Sequence, residues 1–152
     1  VPIEGDRVVD DFRVTQSKRT LEFLKQNGAR TLLVSHRTEE GASLLPACEY
    51  LKNLYSVVFA PTIADAHTAL EKAQDGAFVM LENIRKIGGK REKGNDPAFA
   101  KELAALGEIY VNEAFSISHR PHASIIGVPA LLPSYAGFVF ADEVGRVGPR
   151  QA

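Results

Sequence analysis

The sequence has no tryptophan, a single cysteine, a single methionine and no excess of charge of either sign. One cysteine excludes an internal disulfide and any zinc site built on paired thiolates, and it suits a reducing compartment. Cys48 lies in an apolar stretch of helical period, so it reads as buried filler. Eighteen Lys and Arg against nineteen Asp and Glu leave a net charge of −1. A nucleic-acid binder or a membrane-surface protein normally shows a basic face, so neither partner is expected. No apolar run approaches the ~20 residues of a membrane span, and no signal peptide heads the chain, so the expected location is the cytoplasm. No Gly-x-Ser-x-Gly elbow occurs, and the paired glycines of KIGGKREKG fit neither a Walker A loop nor a dinucleotide fingerprint.

What is present is an alternation. The short apolar runs TLLVS (31–35) and AFVML (77–81) read as strands buried on both faces. Further strands are expected at 56–59, 108–112 and 124–128. Between them lie helical patterns of about three turns. Ser17 is the expected N-cap of the first, with Gly28 as its C′ residue. Ser43 is the expected cap of the second, with Pro46 tolerated in its first turn. Thr62 and Asp65 resemble a capping box for the third. Asp96-Pro97 opens the fourth in the preferred way and Gly107 closes it. Residues 82–95 read as a polar, Gly-rich loop, and residues 134–144 as a last helix. Residues 1–14 read as a loop running into a helix, and 145–152 as a linker stub or tail. Strands alternating with helices imply βαβ crossovers: an α/β domain with a mostly parallel sheet and helices on both faces.

The chemistry gathers where strands end. TLLVS is followed by His36-Arg37, AFVML by Glu82-Asn83-Ile84-Arg85, and EIYVN by Glu113 and then His119-Arg120-Pro-His122. In a parallel sheet these exits share one edge, where open α/β sheets place their ligands. Arginine forks and histidine donors converging there suit a phosphate or carboxylate. Arg13, at the start of a helical pattern, could join them. Glu82 and Asn83 read as structural, tying loops to backbone N–H groups.

These segments resemble a known family. Leu81–Arg85 stands where the phosphoglycerate kinase family has Leu-Glu-Asn-x-Arg, and Val111–His122 where it has Val-Asn-Asp-Ala-Phe-Gly-Thr-Ala-His-Arg-Ala-His. LLVSHR at 32–37 is similar to its Ser-His-Leu-Gly-Arg-Pro segment, and PSYAGFVFADEV at 133–144 to its Ala-Gly-Phe-x-x-x-x-Glu helix. The match covers nearly the whole chain, in the family's order. It implies the N-terminal, phosphoglycerate-binding lobe of a two-lobed kinase, a three-layer Rossmann-like fold expected over residues 1–144. The implied reaction moves a phosphoryl group between 1,3-bisphosphoglycerate and ADP, giving 3-phosphoglycerate and ATP. Mg-ATP and Mg-ADP would sit on the C-terminal nucleotide lobe, and this chain would bind neither cofactor nor metal. By position, Arg13 matches the arginine expected to reach the transferring phosphoryl. His36, Arg37 and Arg120 match or neighbour residues that grip the phosphoglycerate. A monomer is expected.

The departures are specific. The family's Gly-Arg-Pro after the histidine gives way to Thr38, Glu39 and Glu40, and its Gly-Thr-Ala to Ser116, Ile117 and Ser118. Its Asp-x-Asn and first strand would lie ahead of Val1, and its glycine-rich nucleotide loop and catalytic lysine have no counterpart. The expectation is therefore a chain that binds phosphoglycerate without turning it over. The rival expectation is a diverged phosphate-binding or interaction domain of the same fold.

Overall fold

In the computed structural model, residues 3–4, 7–8, 12–39 and 41–147 are described. The chain opens with an antiparallel pair, β1 (Ile3–Glu4) and β2 (Arg7–Val8), where a loop is expected. Helix α1 (Phe12–Gln26) follows, then β3 (Thr31–Leu33), α2 (Leu45–Lys52), β4 (Val57–Ala60), α3 (Ile63–Lys72) and β5 (Phe78–Leu81). After β5 come two short helices, α4 (Ile84–Gly88) and α5 (Lys90–Lys93), and then α6 (Pro97–Ala104), β6 (Tyr110–Asn112), β7 (Ser134–Ala136) and α7 (Phe138–Val147).

The central strand is β5. It pairs in parallel with β3 on one side and β4 on the other, with Val79 opposite both Leu32 and Val58. All four β5 residues are buried, and they alternate between two cores. Phe78 and Met80 point towards Leu21 of α1 and Ala47, Cys48 and Leu51 of α2. Val79 and Leu81 point towards Ala66 of α3 and Phe99, Ala100 and Leu103 of α6. The two-sided burial follows from the period of two in a strand and gives a sheet with helices on both faces. Each fully buried Phe contributes roughly 1.5–3 kcal/mol. Cys48 is a free, fully buried thiol, and burial pushes its pKa up. Strands β6 and β7 form a second parallel pair, Tyr110 opposite Ser134. No helix among the described residues is long and apolar enough to cross a membrane.

Several local expectations hold at atomic detail. The Asp65 N–H donates to Thr62 Oγ1 at 3.1 Å, and the Phe99 N–H to Asp96 Oδ1 at 2.8 Å, with Pro97 opening α6. Gly28 has φ +71°, the left-handed conformation that ends α1.

Others are corrected. Ser17 lies inside α1, which begins five residues earlier at Phe12. β3, one of the two edge strands of its sheet, is half-buried rather than buried on both faces. The stretch 82–95 is two helical turns rather than a loop: Asn83 caps the first, and Gly89, at φ +51°, joins it to the second. The expected strand at 124–128 is a π-helical turn, Ala123–Gly127, in which the Val128 N–H donates to the Ala123 carbonyl. Apolar Ile125 and Ile126 have strand propensity, but tertiary packing overrides it. A Cβ on Gly127 would lie 2.5 Å from Asn95 Oδ1 and 2.7 Å from the Ala100 Cβ, so this turn seats directly on α6. The last expected helix is divided into β7 and α7, and α7 continues through 145–147.

Candidate functional site

At the carboxyl end of β5, Glu82 and Asn83 are almost fully buried and serve as a junction. Glu82 accepts from the Leu44 N–H (2.7 Å), the Ser43 hydroxyl (2.7 Å), the Asn83 N–H (2.7 Å) and Lys86 Nζ (3.0 Å). It therefore anchors the start of α2, whose own N-cap position is Leu44 with no side-chain cap. Burial alone would raise the Glu82 pKa, but these donors together hold it below the ordinary carboxylate value.

Asn83 binds the loop leaving β3. Its Oδ1 accepts from the Arg37 N–H (3.3 Å) and the Arg85 N–H (3.1 Å). Its Nδ2 donates to the Glu39 carbonyl (3.2 Å) and the Ala42 carbonyl (2.8 Å). The Ile84 N–H adds a bond to the Ser35 carbonyl at 3.1 Å. The exits of β3 and β5 are thus fastened side by side, and His36 and Arg37 ride on that junction. Arg37 reaches along its own loop, donating to the Ser43 carbonyl (3.4 Å), with its Nε 3.7 Å from Glu39 Oε2.

The third exit follows β6. Asn112 Oδ1 accepts from the Ala114 N–H (2.9 Å), turning the chain out of the strand. Glu113 accepts from the Thr20 hydroxyl (2.7 Å), and that same hydroxyl accepts from the Phe138 N–H (3.0 Å). Burial raises the Glu113 pKa, opposed by the Thr20 hydroxyl and the first N–H groups of α7. A Cβ at Gly137 would fall 1.8 Å from Glu113 Oε2, so only glycine fits beneath this carboxylate. This joint ties α1, which carries Arg13 in its first turn, to the end of β6.

Beyond it, His119 and Arg120 are exposed, whereas His122 turns inward and is 7% exposed. Its Nδ1 lies 3.7 Å from the buried Glu92 Oε1. Burial holds the imidazole pKa below its ordinary value; Glu92 opposes this, while the Arg85, Arg120 and Lys93 charges add to it. The polar side chains of the HRPH stretch therefore divide into an outward pair, His119 and Arg120, and an inward anchor, His122.

A sequence model described as phosphoglycerate kinase matches residues 1–149. The chain belongs to the phosphoglycerate kinase family. Curated relatives include the phosphoglycerate kinases of Coprothermobacter proteolyticus (39% identical over 155 residues, 95% of this chain) and Bartonella quintana (42% over 147 residues, 90% of this chain). The chain spans only 39% and 36% of those proteins, so it corresponds to about two fifths of their length, the N-terminal lobe. The phosphoglycerate kinase structure from Coxiella burnetii superposes with a TM-score of 0.82 at 28% identity, covering 97% of this chain and 38% of that one. The enzyme from Pyrococcus horikoshii OT3 gives 0.81 at 19% identity, a likeness of fold, covering 95% and 39%.

Against the phosphoglycerate kinase expectations, His36 and Arg37 stand at the β3 exit, and Arg120 is exposed on the segment after β6. Arg13 lies in α1, and its side chain falls outside the described residues. Among the described residues, no group of three or more His, Cys, Asp or Glu comes together as a metal site. Sequence reading missed Glu92, buried within what looks like a solvated basic loop. The only signal was the pair Gly88-Gly89: a Cβ on Gly88 would meet the Phe99 ring at 2.5 Å, which demands close packing.

Proposed function

We propose that this chain is the phosphoglycerate-binding lobe of a phosphoglycerate kinase, spanning about residues 1–144. Its reaction would be phosphoryl transfer between 1,3-bisphosphoglycerate and ADP, giving 3-phosphoglycerate and ATP. The Mg-nucleotide belongs to a C-terminal lobe outside this chain, and the enzyme works as a cytoplasmic monomer. His36, Arg37 and Arg120 grip the phosphoglycerate by charge-assisted hydrogen bonds. Arg13 stabilises charge developing on the transferred phosphoryl group and moves no proton. Lobe closure would exclude water and bring donor and acceptor oxygens in line.

The observation that carries this reading is the fastening of the β3 and β5 exits by Asn83, which sets His36 and Arg37 at the carboxyl edge of the sheet. Calorimetry of the chain with 3-phosphoglycerate and with inorganic phosphate tests it. Saturable binding that favours 3-phosphoglycerate and weakens in Arg120→Ala is expected, with no ATP formed from 1,3-bisphosphoglycerate and ADP by the chain alone. Equal weak binding of both anions would remove the reading. A second reading, a diverged anion-binding or interaction domain, is favoured by one observation: Glu39 lies within ion-pairing distance of Arg37 and competes with a substrate anion for it.

A further inference from the structure

Glu92 sits in α5 between Arg91 and Lys93, in a run where every neighbouring side chain is exposed, yet it is itself 1% exposed. A carboxylate is stable in that setting only if donors surround it. Among the described residues, one short segment supplies two hydrogen bonds to it. The Ser124 hydroxyl donates to Oε1 at 2.5 Å and the Ser124 N–H to Oε2 at 3.1 Å, while His122 Nδ1 lies 3.7 Å from Oε1. That segment begins two residues after Arg120. The intervening chain is stiff: Pro121 has a fixed φ, the His122 N–H donates to the Arg120 carbonyl at 2.9 Å, and the Arg120 N–H donates to the Ile117 carbonyl at 3.0 Å.

We infer that Glu92 is a positioning residue for Arg120, holding from the core the turn that presents this arginine to the phosphoglycerate. The inference rests on the proposed binding role of Arg120. Arginine recognises carboxylate and phosphate through a planar fork, so its value depends on direction as much as on charge. A small displacement of such a group is enough to lose most of its benefit. His122 works with Glu92. It is the second inward contact of the turn, and it is surrounded by Arg85 of α4, Lys93 and Glu92 of α5, and Arg120 of its own loop. Glu92 also offsets these cations, among which Arg85 has a buried Nε with no hydrogen-bond partner.

The test is a double-mutant cycle read by affinity. Glu92→Ala should weaken 3-phosphoglycerate binding about tenfold and Ser124→Ala about threefold, with inorganic phosphate changed less than about twofold. In an Arg120→Ala background the same substitutions should change 3-phosphoglycerate binding by less than about twofold, because they act through Arg120. Equal losses in both backgrounds, or no loss in either, would overturn the inference. Glu92→Gln keeps size and an acceptor, so it should fold where Glu92→Ala does not, and it should fall between wild type and Glu92→Ala. If wild type itself fails to prefer 3-phosphoglycerate, the functional reading falls. The placement is then judged without ligand: amide exchange of residues 118–124 should speed up in Glu92→Gln and Ser124→Ala, and unchanged protection would overturn it.

Discussion

Replacing Asn83 by alanine should be among the most damaging single changes in this chain. The side chain is fully buried and makes four hydrogen bonds, accepting from the N–H groups of Arg37 and Arg85 and donating to the carbonyls of Glu39 and Ala42. At a net ~1 kcal/mol each, the lost bonds come to about 4 kcal/mol, and any group left buried without a partner adds to that. For a domain of this size the melting temperature falls by roughly 2–4 °C per kcal/mol, so a drop of about 8–16 °C is expected. Asn83→Asp keeps the shape and the Oδ1 acceptor, but it turns a carboxylate towards two carbonyls and the neighbouring Glu82, so it should be no milder. Asn53 donates to backbone carbonyls at the exposed end of α2 and serves as control, with a loss within about 0.5 kcal/mol for Asn53→Ala. Urea unfolding followed by circular dichroism gives the three values. A loss below ~1 kcal/mol for Asn83→Ala would refute the claim that this residue fastens the β3 and β5 exits together.

The other expectations are narrower. Thr62→Ala removes the acceptor at the start of α3 and should cost about 1 kcal/mol in urea unfolding. Gly88→Ala drives a methyl group into the Phe99 ring and should destabilise by about 1–3 kcal/mol, whereas Gly41→Ala, with open space around it, should not. His122 is held below the ordinary imidazole value of 6.5, so the unfolded chain takes up its proton first and stability falls as pH drops below that value. Glu82, held low, adds a further loss as pH falls from 4.5 through its folded value, while Glu113, held high, acts in the opposite sense. The difference in denaturant midpoint between pH 7.5 and about 5.5 should therefore shrink in His122→Gln, and an unchanged difference would contradict the assignment. Glu39→Gln removes the acid 3.7 Å from Arg37 and should tighten 3-phosphoglycerate binding by less than about tenfold, read by calorimetry.

Much of this architecture is legible in the sequence because local chemistry and burial agree. β5 is an unbroken apolar run since both its faces are covered, and Thr62, Asp96 and Gly28 mark helix ends by their own bonding and backbone preferences. Where long-range packing decides, the reading fails. SIIGV has the composition of a strand, yet Glu92 and the close seat of Gly127 on Ala100 hold it as a π-helical turn. KREK reads as a solvated run because three of its four side chains are solvated, and nothing in sequence marks Glu92 as the inward one. The site divides in the same way. The candidates His36, Arg37 and Arg120 are visible from their places after apolar runs, while Asn83 and Glu92, which bond to the chain beside them, act across 46 and 32 residues.

The most direct test of the account is an NMR titration of the chain with 3-phosphoglycerate at low salt, with inorganic phosphate as control and arginine Nε–H and histidine side-chain signals observed. Saturable shifts centred on Arg13, His36, Arg37 and Arg120, larger for 3-phosphoglycerate than for phosphate, are the predicted result. Shifts of equal size for both anions, or shifts that leave Arg120 and His36 unmoved, would contradict it.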